Sequence, residues 1–311
     1  MKYTVKNDLN ISAMTLGTVQ LGLSYGVNNK SGKPTEEQSF AILDAAYNGG
    51  VTMLDTSNDY GDSETIIGNY MRANADKKFL ICTKFRIDDE AAKDIYGALK
   101  AFALDSCKKL GVDCLDIFMS HIEDDYLNHG EELTKALAAL KAEGIIKLAG
   151  ISMSKKDKID AIIDSGIFDA VQIPMNIWDN KVIRDGTIKR MADAGIIVFV
   201  RSVYLQGLFF KSVDAVKNTK FRDAAPLIEK LNEIAREEGL TVPQLALAFI
   251  RDTEGVASLV VGSETAAQVE QNVDMFNIPT LSEATYNKIL TEFANVDNFL
   301  ISPWEWPHRK D

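Results

Sequence analysis

Cysteine is scarce in this sequence of 311 residues, which has only Cys82, Cys107 and Cys114. The number is odd and no two form a C-x-x-C pair, which argues against a disulfide framework and a cysteine-rich metal site. Cys82 falls inside an apolar run and reads as a small core residue. No basic stripe interrupts a chain of net charge −11 and pI near 4.9, so a nucleic-acid partner is not expected. The N-terminus, Met1 to Asp8, lacks a long apolar h-region. No apolar run reaches the length of a membrane span. A cytoplasmic protein with no membrane partner is the expectation. A G-x-G-x-x-G fingerprint is also missing. There is no proline- or serine-rich linker and no low-complexity segment, so residues 1–311 read as one domain.

What is present is an ordinary globular composition, 46% hydrophobic and 25% charged, laid out as an alternation of short and long segments. Apolar runs recur at 13–16, 51–54, 79–83, 115–120, 145–151, 170–173, 196–200 and 258–261. Helical patterns lie between them near 35–48, 62–73, 90–110, 131–143, 155–164, 182–194, 221–238 and 242–251. Gly49-Gly50, Gly111, Gly144 and Gly195 stand as helix stops. Pro243 sits in a first turn, where it is tolerated. Runs that are continuously apolar fit parallel strands covered on both faces. Eight such units predict an α/β fold, a (β/α)8 TIM barrel. A short N-terminal hairpin around residues 2–5 and 10–11 and a C-terminal helical extension from 283 onward lie outside the repeat.

Four polar side chains cluster at the ends of three consecutive runs. Asp55 follows the second run, Lys84 the third and His121 the fourth. Tyr60 lies in the loop 55–61. In a parallel barrel these ends share one mouth. A free tyrosine, with a pKa near ~10, donates a proton poorly at neutral pH. A neighbouring ammonium favours tyrosinate and lowers that value. A carboxylate beside the lysine keeps it charged. A carbonyl held by Tyr60 and His121 would be polarised for attack at carbon. Taken singly, each residue has a plainer reading: a turn tyrosine, a capping aspartate, a solvated lysine, a core histidine or metal ligand. Their joint placement carries the catalytic reading, and no metal is expected.

Over nearly its full length the chain resembles the aldo-keto reductases. The resemblance rests on Leu16-Gly17-Thr18, on Asp55-Thr56-Ser57-Asn58-Asp59-Tyr60-Gly61-Asp62-Ser63-Glu64, and on Lys84 and His121. It implies that Tyr60 is the general acid/base, that Lys84 and Asp55 tune it, and that His121 orients the carbonyl. It also implies a nicotinamide cofactor held without a Rossmann domain and a small-molecule carbonyl substrate. Gly17 and Thr18 join the implied cofactor set. Gly150-Ile151-Ser152 resembles the turn that holds the nicotinamide carboxamide, with Met153 where the family commonly has Asn. Gln172 matches the glutamine of the same pocket. Arg201 stands where many relatives stack an aromatic ring, and a guanidinium plane also stacks. Ser202, Gln206 and Leu208 would lie along the pyrophosphate.

After the eighth run, Gly262, Ser263 and Glu264 lead into a helix whose N-terminus favours a phosphate. NADPH-specific relatives carry Lys or Arg at the positions of Gly262 and Gln268. Here both charges are missing, and Glu264 adds an acid. Gln271 and Asn272 are available for the adenine. The resemblance therefore implies NADP(H) or NAD(H), with relaxed preference.

The substrate candidates are Val19, Gln20, Leu21 and Tyr25 in the first loop, Trp178 after the sixth run and Trp304 and Trp306 in the tail. Rings near a barrel mouth can stack on a sugar or an aromatic substrate. Trp304 and Trp306 equally suit a tail anchor. The polar loop around Tyr25 favours a hydrophilic carbonyl. The function so read is reversible hydride transfer between nicotinamide and a small polar aldehyde, ketone or sugar. Two alternatives stay open: a non-redox barrel enzyme in which Lys84 forms a Schiff base, and a cofactor-binding sensor with little turnover. The oligomeric state is not legible.

Overall fold

A computed structural model describes residues 1–24, 32–154 and 156–308. The chain opens on an antiparallel hairpin, β1 (Tyr3–Lys6) and β2 (Leu9–Ser12). Asn7 and Asp8 both take positive φ at its turn, the type I′ geometry that matches strand twist and that Asn and Asp tolerate. Eight parallel strands follow: β3 (Met14–Gly17), β4 (Met53–Asp55), β5 (Leu80–Phe85), β6 (Leu115–Ser120), β7 (Ile146–Ser152), β8 (Ala170–Pro174), β9 (Ile197–Arg201) and β10 (Val256–Gly262). They close as a barrel when β10 pairs with both β9 and β3. The expected (β/α)8 architecture is the observed one.

The barrel interior is layered by the two-residue period of its strands. Leu9 and Ile11 of the hairpin join Met53, Cys82, Ile117, Met119, Ala170, Ile197 and Phe199 in one buried apolar cluster. They plug the end of the barrel where the strands begin. Two residues further along, the inward positions turn polar: Met53 leads to Asp55, Cys82 to Lys84, Ala170 to Gln172 and Phe199 to Arg201. Outward residues such as Leu54, Ile81, Phe118, Val171 and Val198 pack under the helices. Burial on both faces is why the runs read as unbroken.

Where helices depart from the expected spans, a local signal is responsible. The span 90–110 begins as a 3-10 turn, Ala91–Lys93, and restarts at Ile95–Leu110, because Asp94 accepts from Gly97 N at 3.0 Å as an N-cap. The span 182–194 splits into Lys181–Arg184 and Thr187–Asp193 at Gly186, whose φ is +75°. Ahead of the expected helix near 131–143, and broken from it at His129 with φ −131°, an additional helical segment starts at Glu123, with three acids in its first turn where the helix dipole favours them. The C-terminal extension holds Glu283–Glu292 and Asn298–Ile301. Trp306 donates from Nε1 to Phe299 O at 2.8 Å and sets its ring edge-on to Phe221, which pins the tail. No helix among the described residues is long and apolar enough to cross a membrane.

Candidate active site

Strands β4, β5 and β8 bring three polar side chains to one point. Asp55 Oδ1 accepts from Lys84 Nζ at 2.7 Å and from Gln172 Nε2 at 2.8 Å. Lys84 also donates to Thr56 O at 2.9 Å. The Lys84 and Asp55 side chains are 1% and 6% exposed, so the ion pair sits out of water. Burial alone would drive the ammonium to shed its proton. The charges of Asp55 first, then Tyr60 and Cys82, outweigh it and hold Lys84 above the ordinary lysine range. A Schiff-base lysine must be a free amine at the moment of attack, so this charge state counts against that alternative.

Lys84 Nζ lies 5.3 Å from the centroid of the Tyr60 ring, and the Tyr60 and His121 rings meet edge to face at 5.7 Å. The tyrosine loop is seated by two glycines. A Cβ on Gly22 would fall 1.6 Å from Tyr60 O, and one on Gly61, whose φ is +57°, would fall 2.6 Å from Gly22 O. Backbone rests on backbone there, with no room for a side chain. Burial pulls the His121 pKa down to about 3, helped by repulsion from Lys84, Arg86 and Arg201, so the ring is uncharged at neutral pH. Asp59 Oδ2 approaches His121 Nδ1 to 3.4 Å. That contact is not an ion pair, because Asp59 is half-exposed and engaged by Arg86 Nε at 2.9 Å. Ser57 Oγ is also 3.4 Å from Nδ1.

A hydroxyl network braces these groups. Thr18 Oγ1 donates to Asp55 O at 3.0 Å, Ser63 Oγ donates to Thr18 O at 3.0 Å, and Thr56 Oγ1 donates to Ser63 Oγ at 3.0 Å. Thr83 Oγ1 donates to Glu64 Oε1 at 2.6 Å. Sequence reasoning missed Gly22, Ser57, Asp59 and Ser63 as contributors. All but Gly22 stand inside the 55–64 signature, which was the available signal.

Beside Tyr60 opens a cleft of ≈ 340 Å³. Gly17, Thr18, Val19, Gln172, Arg201, Ser202, Gln206 and Gly262 line it, together with Asp55 and Gln20. The Arg201 guanidinium donates to Ser154 Oγ at 2.9 Å and to Ser202 Oγ at 3.4 Å. Ser202, Leu205 and Gln206 have φ of +64°, +44° and +51°, left-handed values that cost a non-glycine residue about 1–3 kcal/mol and cluster at ligand sites. Ser152 lies buried beside Gln172 in the β7–β8 register. Met153 is fully buried among apolar side chains, so no amide replaces the family's Asn.

Two expectations are corrected. Leu208 is 1% exposed and packs in the core, because the turn through Gln206 and Gly207 carries it inward, away from the cleft. Trp178 is also 1% exposed, its ring lying against Phe209 and Phe293 at 5.1 and 6.4 Å, so it anchors the core instead of stacking at the mouth. Tyr25 and the side chain of Trp304 lie outside the described residues.

At the far end, the helix Ala266–Phe276 is capped by Thr265, whose side chain accepts from Gln268 N. Gln268 Oε1 accepts from Glu264 N at 2.7 Å, and Asn272 Nδ2 donates to Ser263 Oγ at 3.0 Å. Gln271 is exposed. Gly32, Pro34, Gln38 and Ala41 face residues 264–267 across a groove of ≈ 380 Å³, in which Glu264 is the only charged residue among the described lining.

Residues 13–291 match the Aldo/keto reductase family. Aldo-keto reductase str7 of Strobilurus tenacellus is 26% identical over 292 residues, covering 86% of this chain and 84% of that one. The NADH-specific methylglyoxal reductase of Escherichia coli (strain K12) is 25% identical over 308 residues, covering 89% and 93%. In fold, the chain is similar to an aldo/keto reductase from Klebsiella pneumoniae solved with NADP and acetate. That match has a TM-score of 0.71 at 20% identity and covers 94% of this chain and 95% of the other. With the match spanning all eight barrel strands and the loop that carries Tyr60, this chain belongs to the aldo/keto reductase family.

Proposed function

We propose that the protein is a reversible NAD(P)(H)-dependent carbonyl reductase acting on a small, polar aldehyde or ketone. One observation carries the reading: a buried, charged Lys84–Asp55 pair lies under the Tyr60 ring, with an uncharged His121 beside it. The residues of the cleft fit a nicotinamide dinucleotide. Gln172 and Arg201 line it together with Gly262, from which the chain runs on to the helix N-terminus in the neighbouring groove, and Gln20 Oε1 in the wall is a buried acceptor with no partner. When bound, that group supplies or accepts the hydride.

The chain's own residues handle the proton and the carbonyl. Tyr60 holds the proton delivered to the carbonyl oxygen. Lys84 makes the tyrosinate accessible, and Asp55 keeps Lys84 charged and aimed. His121, being neutral, adds no competing cation. Ser57 donating to Nδ1 is the tautomer that leaves Nε2–H for the substrate oxygen. Val19 borders the substrate end of the cleft. The groove at residues 264–267 offers a 2′-phosphate no cation among its described residues, which supports use of NADH alongside NADPH. The curated relative that reduces methylglyoxal with NADH supports the same substrate size and polarity.

The test is Tyr60→Phe, assayed for methylglyoxal reduction with NADH. Turnover falls by about 10²–10⁴-fold while NADH titration is unchanged. Turnover near the wild-type rate would show that another group handles the proton.

A further inference from the structure

Gln20 is only 9% exposed, and its Oε1 is fully buried without a hydrogen-bond partner. Buried amides are nearly always paired, so an orphaned one calls for a ligand or a reason. Three facts place it. It lines the cleft that also holds Tyr60 and Gln172. It belongs to the short helix Val19–Gly22 that follows β3. Its amide packs on Gly262 at the end of β10, where a Cβ would come within 2.6 Å of Nε2 and 3.1 Å of Oε1. In the β3–β10 register, Gly262 pairs with Gly17, so no side chain fills that seam and the Gln20 amide lies over it. Of the polar groups that share the cleft, Thr18 is engaged with Asp55 and Ser202 with Arg201.

We propose that Gln20 is a cofactor-binding residue that grips the dinucleotide between its two ends. Its carbonyl accepts from a ribose hydroxyl and its Nε2 donates to a pyrophosphate oxygen. Gly262 is the partner that makes room for it. The inference rests on the reading of the cleft as a nicotinamide-dinucleotide site. A neutral amide serves both groups, and because NADH and NADPH share them, the contact supports either dinucleotide. A longer residue at 262 would displace the amide.

Binding separates this inference from the one beneath it. The full chain, with no carbonyl substrate, is titrated with NADH and with NADPH by intrinsic fluorescence at fixed ionic strength. Gln20→Leu is expected to weaken NADH binding about 10- to 100-fold. It leaves the thermal midpoint of the free protein unchanged or higher, because an unpaired buried amide is removed. Gly262→Ala, whose methyl would come within 2.6 Å of Gln20 Nε2 and push the amide aside, weakens NADH binding in the same direction. Added to Gln20→Leu it costs nothing further, since both act through one contact. Gln20→Leu weakens NADPH binding by a similar factor, because the contacted groups are common to both dinucleotides. Wild-type protein that binds neither dinucleotide would overturn the cofactor reading and this inference together. Wild-type binding with Gln20→Leu within about twofold of it, or a fully additive double variant, would overturn the role of Gln20 alone.

Discussion

The two sides of the barrel mouth are built on opposite terms. On the β4–β6 side the polar groups sit at strand ends and satisfy one another: Asp55 takes Lys84 and Gln172, and Thr18, Thr56 and Ser63 close the network behind them. On the β9–β10 side the groups come from loops and three non-glycine residues hold left-handed φ. The Gln20 amide, from the helix after β3, lies against Gly262 with its Oε1 lacking a hydrogen-bond partner, as Asn58 Oδ1 and Glu64 Oε2 do on the other side. Proton transfer needs charges fixed to fractions of an ångström before substrate arrives, and strand ends provide that. A binding wall is completed by what it binds, so its strained turns persist in the free protein.

Three changes would break or sharpen this contrast, and the largest falls on the self-satisfied side. Lys84→Met leaves Asp55 as a lone buried carboxylate and is expected to cost about 3–5 kcal/mol in urea unfolding, with reduction abolished. A loss no larger than that of an exposed pair, about 0–1 kcal/mol, would mean that water reaches the site. Next is Gly22→Ala, which drives a methyl into Tyr60 O and is expected to cost about 1–3 kcal/mol. The turnover number falls more than NADH affinity does, because the clash falls directly on Tyr60 and reaches the cofactor wall only through the helix Val19–Gly22. Wild-type turnover in this variant would show that Tyr60 is positioned by something other than the glycine seat.

The third change is read as a pH slope. The His121 pKa is about 3 in the folded chain, against about 6.5 for an unperturbed histidine. Between those values the unfolded chain binds the extra proton, so the contribution of the neutral ring is complete above pH 6.5 and is lost as pH falls towards 3. His121→Gln should flatten the fall in stability over that window, by at most about 1.4 kcal/mol per pH unit. Parallel wild-type and variant curves would place the imidazole in water and weaken its assignment to the closed side of the mouth.

The eight strands were legible because continuous apolar runs and glycine stops are local signals, and β6 and the helix Val242–Arg251 fall where those signals put them. The quartet was legible because a two-residue period and a shared mouth convert strand ends into neighbours. Helix 90–110 was legible in outline only, since a capping aspartate in mid-span looks like any surface acid until its carboxylate is seen on Gly97 N.

What the sequence determined by itself, then, is the barrel, the direction in which its polar ends point and the gathering of Asp55, Tyr60, Lys84 and His121 at one mouth. Periodicity and residue type are written along the chain and need no partner to be read. Tertiary structure alone decided which aromatics go inside and which glycines bear contact. Trp178 and Leu208 turned into the core, Gly22 became the seat of Tyr60, and Gln20 met Gly262 across the closing seam of the barrel. Each of these outcomes depends on packing between segments far apart in sequence, where the shape of the space left by other elements sets the result.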